Sequence, residues 1–289
     1  MSYGLLNLNK PSGVTSRDVV DQVQRLVRPQ KAGHAGTLDP LATGVLVVCV
    51  GPATRLIEYV QQMPKSYSGT FLLGRQSPTE DVEGEVTELA DPPVPALDQL
   101  LAAAQALTGR IEQLPPAYSA LRVAGRRAYD LARRGETFDL QPRPVEIHRL
   151  EIVSYAYPEL KLRVECGSGT YVRSLGRDLA AALGTAAVMS ALQRTAIGSF
   201  RLEDALDPAA LTRENWPERL LPPLRAVESL PRICLTEPEI RSIRAGQAIG
   251  REVSPPGGTP WAALDAAGHL VAILVPRGPG LLGPLRNLP

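Results

Sequence analysis

The chain is short of the residues that most often announce a chemistry. Three cysteines and three histidines are scattered through 289 residues. Cys49, Cys166 and Cys234 sit in apolar, strand-like contexts without C-x-x-C spacing. They read as reduced core thiols of a cytoplasmic protein, not as a disulfide framework. His34, His148 and His269 lie far apart and have no cysteine partners at ligand spacing, so no metal is expected. No apolar run approaches the roughly 20 residues that span a bilayer, and no membrane association is expected. The opening Met1-Ser2-Tyr3-Gly4 lacks the basic and hydrophobic layout of a secretory leader. An excess of positive charge is missing too: the net charge is +1.

That near-neutral average hides a split. Residues 80–98 hold Glu80, Asp81, Glu83, Glu85, Glu88, Asp91 and Asp98 without one Lys or Arg, so the rest of the chain is basic. Part of that excess is concentrated in Arg122, Arg126, Arg127, Arg133 and Arg134. Such a cluster suits phosphate binding, although a solvated helix face gives the same pattern. The acidic run reads as a solvated loop turned away from a polyanion. The length suggests one large and one small unit, and 44% apolar residues are enough for a proper core.

Periodicity supplies the elements. Thr15-Ser16-Arg17-Asp18 has the form of a capping box, followed by Val19, Val20, Val23, Leu26 and Val27 on one helical face, with Pro29 as the stop. Val45 to Val50 is an apolar run of strand length. Over 65–73, Tyr67, Gly69, Phe71 and Leu73 alternate with Ser66, Ser68 and Thr70, which is strand spacing. Residues 97–107 predict a helix, 145–154 and 160–166 an antiparallel strand pair, and 171–183 a helix ended by Gly184. A regular βαβα alternation is absent, which favours an α+β fold with a largely antiparallel mixed sheet. Prolines at 208, 217, 222, 223 and 231 suggest a linker. Beyond it come short strands and a helix near 237–244.

The segment Gly33-His34-Ala35-Gly36-Thr37-Leu38-Asp39-Pro40-Leu41-Ala42-Thr43-Gly44 is the densest in chemistry. Its glycines allow sharp bends and close approach to a ligand, and Pro40 pushes Asp39 out of helical geometry. A carboxylate on a stiff loop beside a buried strand suits catalysis, and it equally suits a turn in which the aspartate bonds its own backbone. Two other motifs are decoys. Gly278-Pro279-Gly280-Leu281-Leu282-Gly283 spells G-x-G-x-x-G without a following helix, and Gly167-Ser168-Gly169-Thr170 lacks the Lys of a phosphate loop. A nucleotide cofactor is therefore not expected.

The 33–44 segment closely resembles the catalytic motif of the TruB family of tRNA pseudouridine-55 synthases. Three further segments are similar to family motifs in the same order: Lys10-Pro11-Ser12-Gly13-Val14-Thr15-Ser16, Leu114-Pro115-Pro116-Ala117-Tyr118-Ser119-Ala120-Leu121, and Gly169-Thr170-Tyr171-Val172-Arg173-Ser174-Leu175. A weaker likeness, around Ile243 to Gln247 and Ala263 to Ala272, is to the PUA module, a small β-rich RNA-binding domain. The resemblance implies a catalytic domain over 1–228, with a basic thumb insertion near 118–143, and a PUA-like domain over 229–289.

The resemblance also implies the activity. Uridine in the T-loop of tRNA would be isomerised to pseudouridine without a cofactor. Asp39 would be the nucleophile, attacking either uracil C6 or ribose C1′. Arg173 would pair with it, and Tyr67 would stack on the base and assist proton transfer, although a strand tyrosine alone reads as packing. Lys10, His34, Tyr171 and Leu192 would line the substrate site, and Arg122, Arg126 and Arg127 would meet RNA. The expected partner is the T-arm and elbow of tRNA, bound by a monomer that needs no protein partner. A guide-dependent synthase and an RNA-folding chaperone are the alternatives. Three departures stand out: Ala35 in place of a hydroxyl residue, Arg122 in place of lysine, and Ser77-Pro78 in place of Thr-Asp.

Overall fold

The computed structural model describes residues 2–119, 121–123, 125–251 and 258–289; at 122, 123 and 127 it describes the backbone alone. In chain order the first elements are β1 (Gly4–Lys10), α1 (Ser16–Val27), β2 (Ala32–His34) and β3 (Thr43–Val50). Next come α2 (Ile57–Gln62), β4 (Lys65–Leu73) and a small ribbon of β5 (Arg75–Gln76) with β6 (Thr87–Glu88). Then follow α3 (Leu97–Ala106), β7 (Gly109–Gln113), a hairpin of β8 (Arg122–Val123) and β9 (Arg126–Arg127), and α4 (Ala128–Arg133). The large unit closes with β10 (Arg143–Ala156), β11 (Glu159–Cys166), α5 (Val172–Ala181), β12 (Ala187–Ile197) and β13 (Phe200–Arg201).

The principal sheet runs β1-β3-β12-β4-β11-β10-β7, with β2 beside β3 and β13 beside β12. All its pairings are antiparallel except β3 with β12. The α+β class expected from the sequence is the one found. Its two halves are buried differently, and the sequence patterns follow from that. On β1 and β3, Leu6, Leu8, Leu46 and Val48 pack with α1, while Leu5, Val45, Val47 and Cys49 face a second core, so both faces are dry and the run is continuous. On β4 and β11 one face meets α5 and α3 through Tyr67, Phe71, Leu160, Leu162 and Val164, and the other is wetter, so the sequence alternates.

Helix α1 begins as expected. Asp18 N–H donates to Thr15 Oγ1 (3.1 Å) and Thr15 N–H donates back to Asp18 Oδ2 (2.8 Å). Val19, Val20, Val23 and Val27 are buried beneath it. At Gly176 of α5, an added Cβ would lie 2.0 Å from the Phe71 ring, so the glycine sets how closely that helix approaches β4.

The proline-rich stretch is not a free linker. Leu206 and Leu221 exchange backbone hydrogen bonds with Asn7, Asn9 and Leu5, so residues 206–221 strap the open edge of β1. Trp216 is buried in the α1 core. Prolines fit because they open short 3-10 turns, where no donor is needed.

The second sheet holds β14 (Arg232–Cys234), β15 (Ile249–Gly250), β16 (Trp261–Leu264), β17 (Leu270–Gly278) and β18 (Leu281–Asn287), ordered β14-β16-β17-β18-β15. Helix α6 (Glu237–Arg244) lies against it. Ala262, Leu264, Leu270, Ile273 and Leu288 share one core with Leu5, Val45, Val47 and Phe200. The glycine decoy at 278–283 is the β17–β18 hairpin, with Gly278 and Gly280 at positive φ. Cys49 and Cys166 are buried core thiols as expected. Cys234 is exposed, because on β14 it faces away from the side that buries Ile233. No helix among the described residues is long and apolar enough to cross a membrane.

Candidate active site

Asp39 lies in the loop between β2 and β3, held by its neighbours through the backbone. Ser16 at the start of α1 grips Leu38 from both sides: its Oγ accepts from Leu38 N–H (2.8 Å) and donates to Leu38 O (3.1 Å). Lys10, fully buried, donates to the carbonyls of Pro11 (2.9 Å), Val14 (2.6 Å) and Pro40 (3.2 Å). Arg194, also buried, donates to Val45 O (2.7 Å), Gly36 O (3.1 Å) and Thr37 O (3.4 Å). At Gly44, with φ +102°, a Cβ would sit 2.2 Å from Arg194 O. Only glycine lets β3 approach β12 there. Two cations and one serine thus fix the loop, and burial lowers the Lys10 amine to about 8, against the pull of Asp39.

Arg173 projects from the first turn of α5. Its Nε lies 3.0 Å from Asp39 Oδ2; the arginine side chain is 6% exposed and the aspartate 34%. The carboxylate is therefore open to solvent while its partner is interior. Nη1 donates to Thr79 O (2.7 Å) and lies 3.6 Å from Asp81 Oδ2, and Nη2 donates to Tyr118 O (2.9 Å). Every nitrogen of the fork is used, and this is how a buried guanidinium is tolerated.

The acidic run corrects a sequence expectation. Asp81 is buried at Arg173, and its Oδ1 accepts from Thr79 Oγ1 (2.6 Å) and Glu83 N–H (3.1 Å). Glu80 is drawn inward to Arg177 (2.5 Å) and Ser174 (3.2 Å). The run enters the site at Glu80 and Asp81 because the arginines of α5 need anions; its remaining acids, from Glu83 on, are exposed. Ser77-Pro78 opens a turn closed by Glu80 N–H donating to Ser77 O (3.1 Å), with proline at the second position that suits it. Ser77 Oγ also donates to Asp81 O (2.6 Å), so the departure from the family motif keeps a bonded loop. Glu80 sits at φ +62°, a left-handed conformation that costs a non-glycine residue about 1–2 kcal/mol.

The other expected residues lie on β4, β12, β2 and at the start of α5. Tyr67 is buried on β4 opposite Arg194 of β12. Burial pushes its phenol up, and the Arg194 charge opposes the shift. Leu192 is buried two residues before Arg194, on the same face of β12. Tyr171 caps α5, its backbone exchanging two hydrogen bonds with the Gln113 side chain (2.8 and 3.1 Å). His34 is half-buried on β2; burial, then the Arg194 charge, lowers its imidazole, favouring the neutral form. Ala35 is fully buried in the core, where a methyl group fits without needing a partner.

In the basic segment, Arg126 is engaged by Glu136 through two 2.7 Å hydrogen bonds on the surface. Arg122 and Arg127 pair through their backbones in the β8–β9 hairpin, and their side chains lie outside the described residues, as does Ala120. Sequence reasoning missed Arg194, Asp81, Glu80 and Arg177. For Arg194 the signal was available: two residues from Leu192 on a strand, it had to face the same interior.

Solved structures share this architecture. Cbf5 as it occurs in a Cbf5-Nop10-Gar1 complex aligns over 96% of this chain and 80% of its own, with TM-score 0.73 and 26% identity. A structure of an H/ACA RNP bound to a substrate RNA containing 2′-deoxyuridine shows the same fold over 99% and 85%, with TM-score 0.75 and 23% identity. The class is that of the pseudouridine synthases.

The family follows from sequence: the chain belongs to the TruB family, since a model of the N-terminal domain of TruB family pseudouridylate synthases matches residues 24–172. A tRNA pseudouridine synthase B from Bradyrhizobium diazoefficiens is 40% identical over 284 residues, 94% of this chain and 81% of that protein. A protein of the same name from Dehalococcoides mccartyi is 39% identical over 289 residues, 98% of this chain and 95% of that one.

Proposed function

We propose that this protein isomerises uridine to pseudouridine in tRNA, at the uridine of the T-loop, with Asp39 as nucleophile. The observation that carries the reading is the solvent-accessible carboxylate of Asp39 on a loop tied down by Lys10, Ser16 and Arg194, with Arg173 Nε at 3.0 Å. The reaction breaks the N1–C1′ bond, turns the uracil, and joins C5 to C1′. C5 loses a proton and N1 gains one, so no electrons are transferred and no cofactor is needed. Attack by a carboxylate, on C6 or on C1′, would keep one fragment attached while the base turns. Arg173, with its Nε 3.0 Å from Oδ2, fixes the direction of that carboxylate. Tyr67 and Leu192 would form the floor on which an extruded base rests, with His34 and Tyr171 beside it, while buried Lys10 would act through the loop it holds.

The T-arm would be gripped by shape and phosphate contacts. The insertion near 118–143 would cover the loop, and residues 229–289, as a PUA-like domain, would hold a more distant part of the RNA. A stand-alone, monomeric enzyme of the cytoplasm is favoured over a guide-dependent one. The relatives that are about 40% identical carry the name tRNA pseudouridine synthase B, whereas identity to Cbf5 is 26%. The test is tritium release from a T-arm stem-loop carrying 5-tritiated uridine, with wild type and Asp39→Ala side by side. Release by wild type alone is expected. Release by both proteins would remove Asp39 from the chemistry, and release by neither would remove the activity on this RNA.

A further inference from the structure

We infer that Glu80 and Arg177 form a latch that positions the guanidinium of Arg173 on Asp39, so that they govern the rate of the reaction and not the affinity for RNA. The inference rests on the reading of Asp39 as nucleophile. Arg173 and Arg177 lie one turn apart on α5, and the two hold the same two segments. Arg173 takes Thr79 O and Asp81 from the 77–81 loop, and Tyr118 O from the chain entering the insertion. Arg177 takes Glu80 from that loop (2.5 Å) and Leu114 O from that chain (2.8 Å). Arg177 is further fixed on its own helix by Asp178 (2.8 Å).

Glu80 is the only acid among residues 77–80, and its carboxylate also accepts from Ser174 Oγ. Its backbone is tied as well: Glu80 O accepts from Met189 N–H (3.0 Å), and its N–H closes the Ser77 turn. A side chain held at both ends at φ +62° is kept there by its partners. Residues 79–81 are thus a shelf that carries two acceptors of Arg173, and the Glu80 carboxylate clamps the shelf to α5. Without the clamp, Arg173 loses the fixed acceptors that aim its Nε at Asp39. The side chains of Glu80 and Arg177 are 16% and 28% exposed and neither has a bond to Asp39, so both are positioning residues.

The experiment is single-turnover tritium release and stem-loop binding for wild type, Glu80→Gln, Glu80→Gly and Glu80→Gln with Arg177→Met. Glycine accepts the left-handed backbone, so Glu80→Gly removes the carboxylate while favouring the fold. Both single variants are expected to slow release by about tenfold with binding changed by less than about twofold, and the added Arg177→Met is expected to slow it no further. A Glu80→Gly rate equal to wild type overturns the latch. So does a loss of rate and affinity together, which would make Glu80 a mere structural support. A wild-type protein that releases no tritium overturns the functional reading and the latch with it, whereas an active wild type beside unaffected Glu80 variants overturns the latch alone.

Discussion

At the residue scale this protein spends buried cations on backbone carbonyls. Lys10 and Arg194 hold the Asp39 loop, and Lys65 does the same elsewhere, donating to Gln61 O and Met63 O (2.6 Å each) at the end of α2. Such a lysine satisfies carbonyls that the helix leaves open. Burial, and then the Arg194 charge, bring the Lys65 amine down to about 8. Its folded-state value is therefore below the ordinary 10.5, and in that window the unfolded chain binds the extra proton. Stability contributed by this site should rise with pH from about 8 to about 10.5, by at most roughly 1.4 kcal/mol per pH unit. Urea unfolding of wild type and Lys65→Met across that range checks it: the difference should move in favour of wild type as pH rises. A constant difference would mean that the amine titrates alike in both states. Lys10 contributes in the same sense, while the buried thiols of Cys49 and Cys166, raised in the folded state, act in the opposite sense above about pH 9. The difference between the two proteins, not the wild-type curve, therefore isolates Lys65.

At the element scale, α5 is the part on which the site is mounted, and its position is set by one missing methyl group. Gly176→Ala would gain about 1 kcal/mol of helix propensity, yet its Cβ would meet three atoms of the Phe71 ring between 2.0 and 2.7 Å. Overpacking of this kind costs typically 1–3 kcal/mol, and Arg173 and Arg177 flank the position. The variant should melt lower and lose tritium release more than stability alone explains. Phe71→Leu added to it should restore part of both. A melting temperature at or above wild type would show that α5 can shift without penalty.

The elements themselves were legible in the sequence. The α1 capping box, the alternation of β4 and the apolar run of β3 depend on local pattern, and those patterns have single structural solutions. What stayed hidden were pairings between segments distant in sequence. Nothing local says that Glu80 meets Arg177, or that the prolines after 206 edge β1 instead of spanning a gap. The motif placed Asp39 and Arg173 together; the charges that surround them had to be seen in three dimensions.

At the scale of the whole molecule, the two sheets share one core besides those each has to itself. Leu264, Leu270 and Ile273 share a core with Val45, Val47 and Phe200, and the seam is stitched at its rim. Arg55 donates to Asn287 O, Arg286 pairs with Glu58 at 3.1 Å, and Tyr3 OH donates to Pro289 O at 3.2 Å. Each side carries one tryptophan: Trp216 in the α1 core and Trp261 at the second sheet. Fluorescence of Trp216→Phe and Trp261→Phe variants therefore reports each side alone. Their urea transitions should coincide, as one cooperative unit requires; two separated midpoints would show independent folding.

The exposure of Cys234 has a practical side. Burial pushes the Cys49 thiol up to about 12 and raises Cys166 as well, so both are shielded and hold their protons. Cys234 alone stands in solvent on β14. The unaltered chain thus offers one handle for a maleimide dye, on the sheet far in sequence from Asp39, and a fluorescent ruler between protein and labelled RNA needs no engineered attachment point.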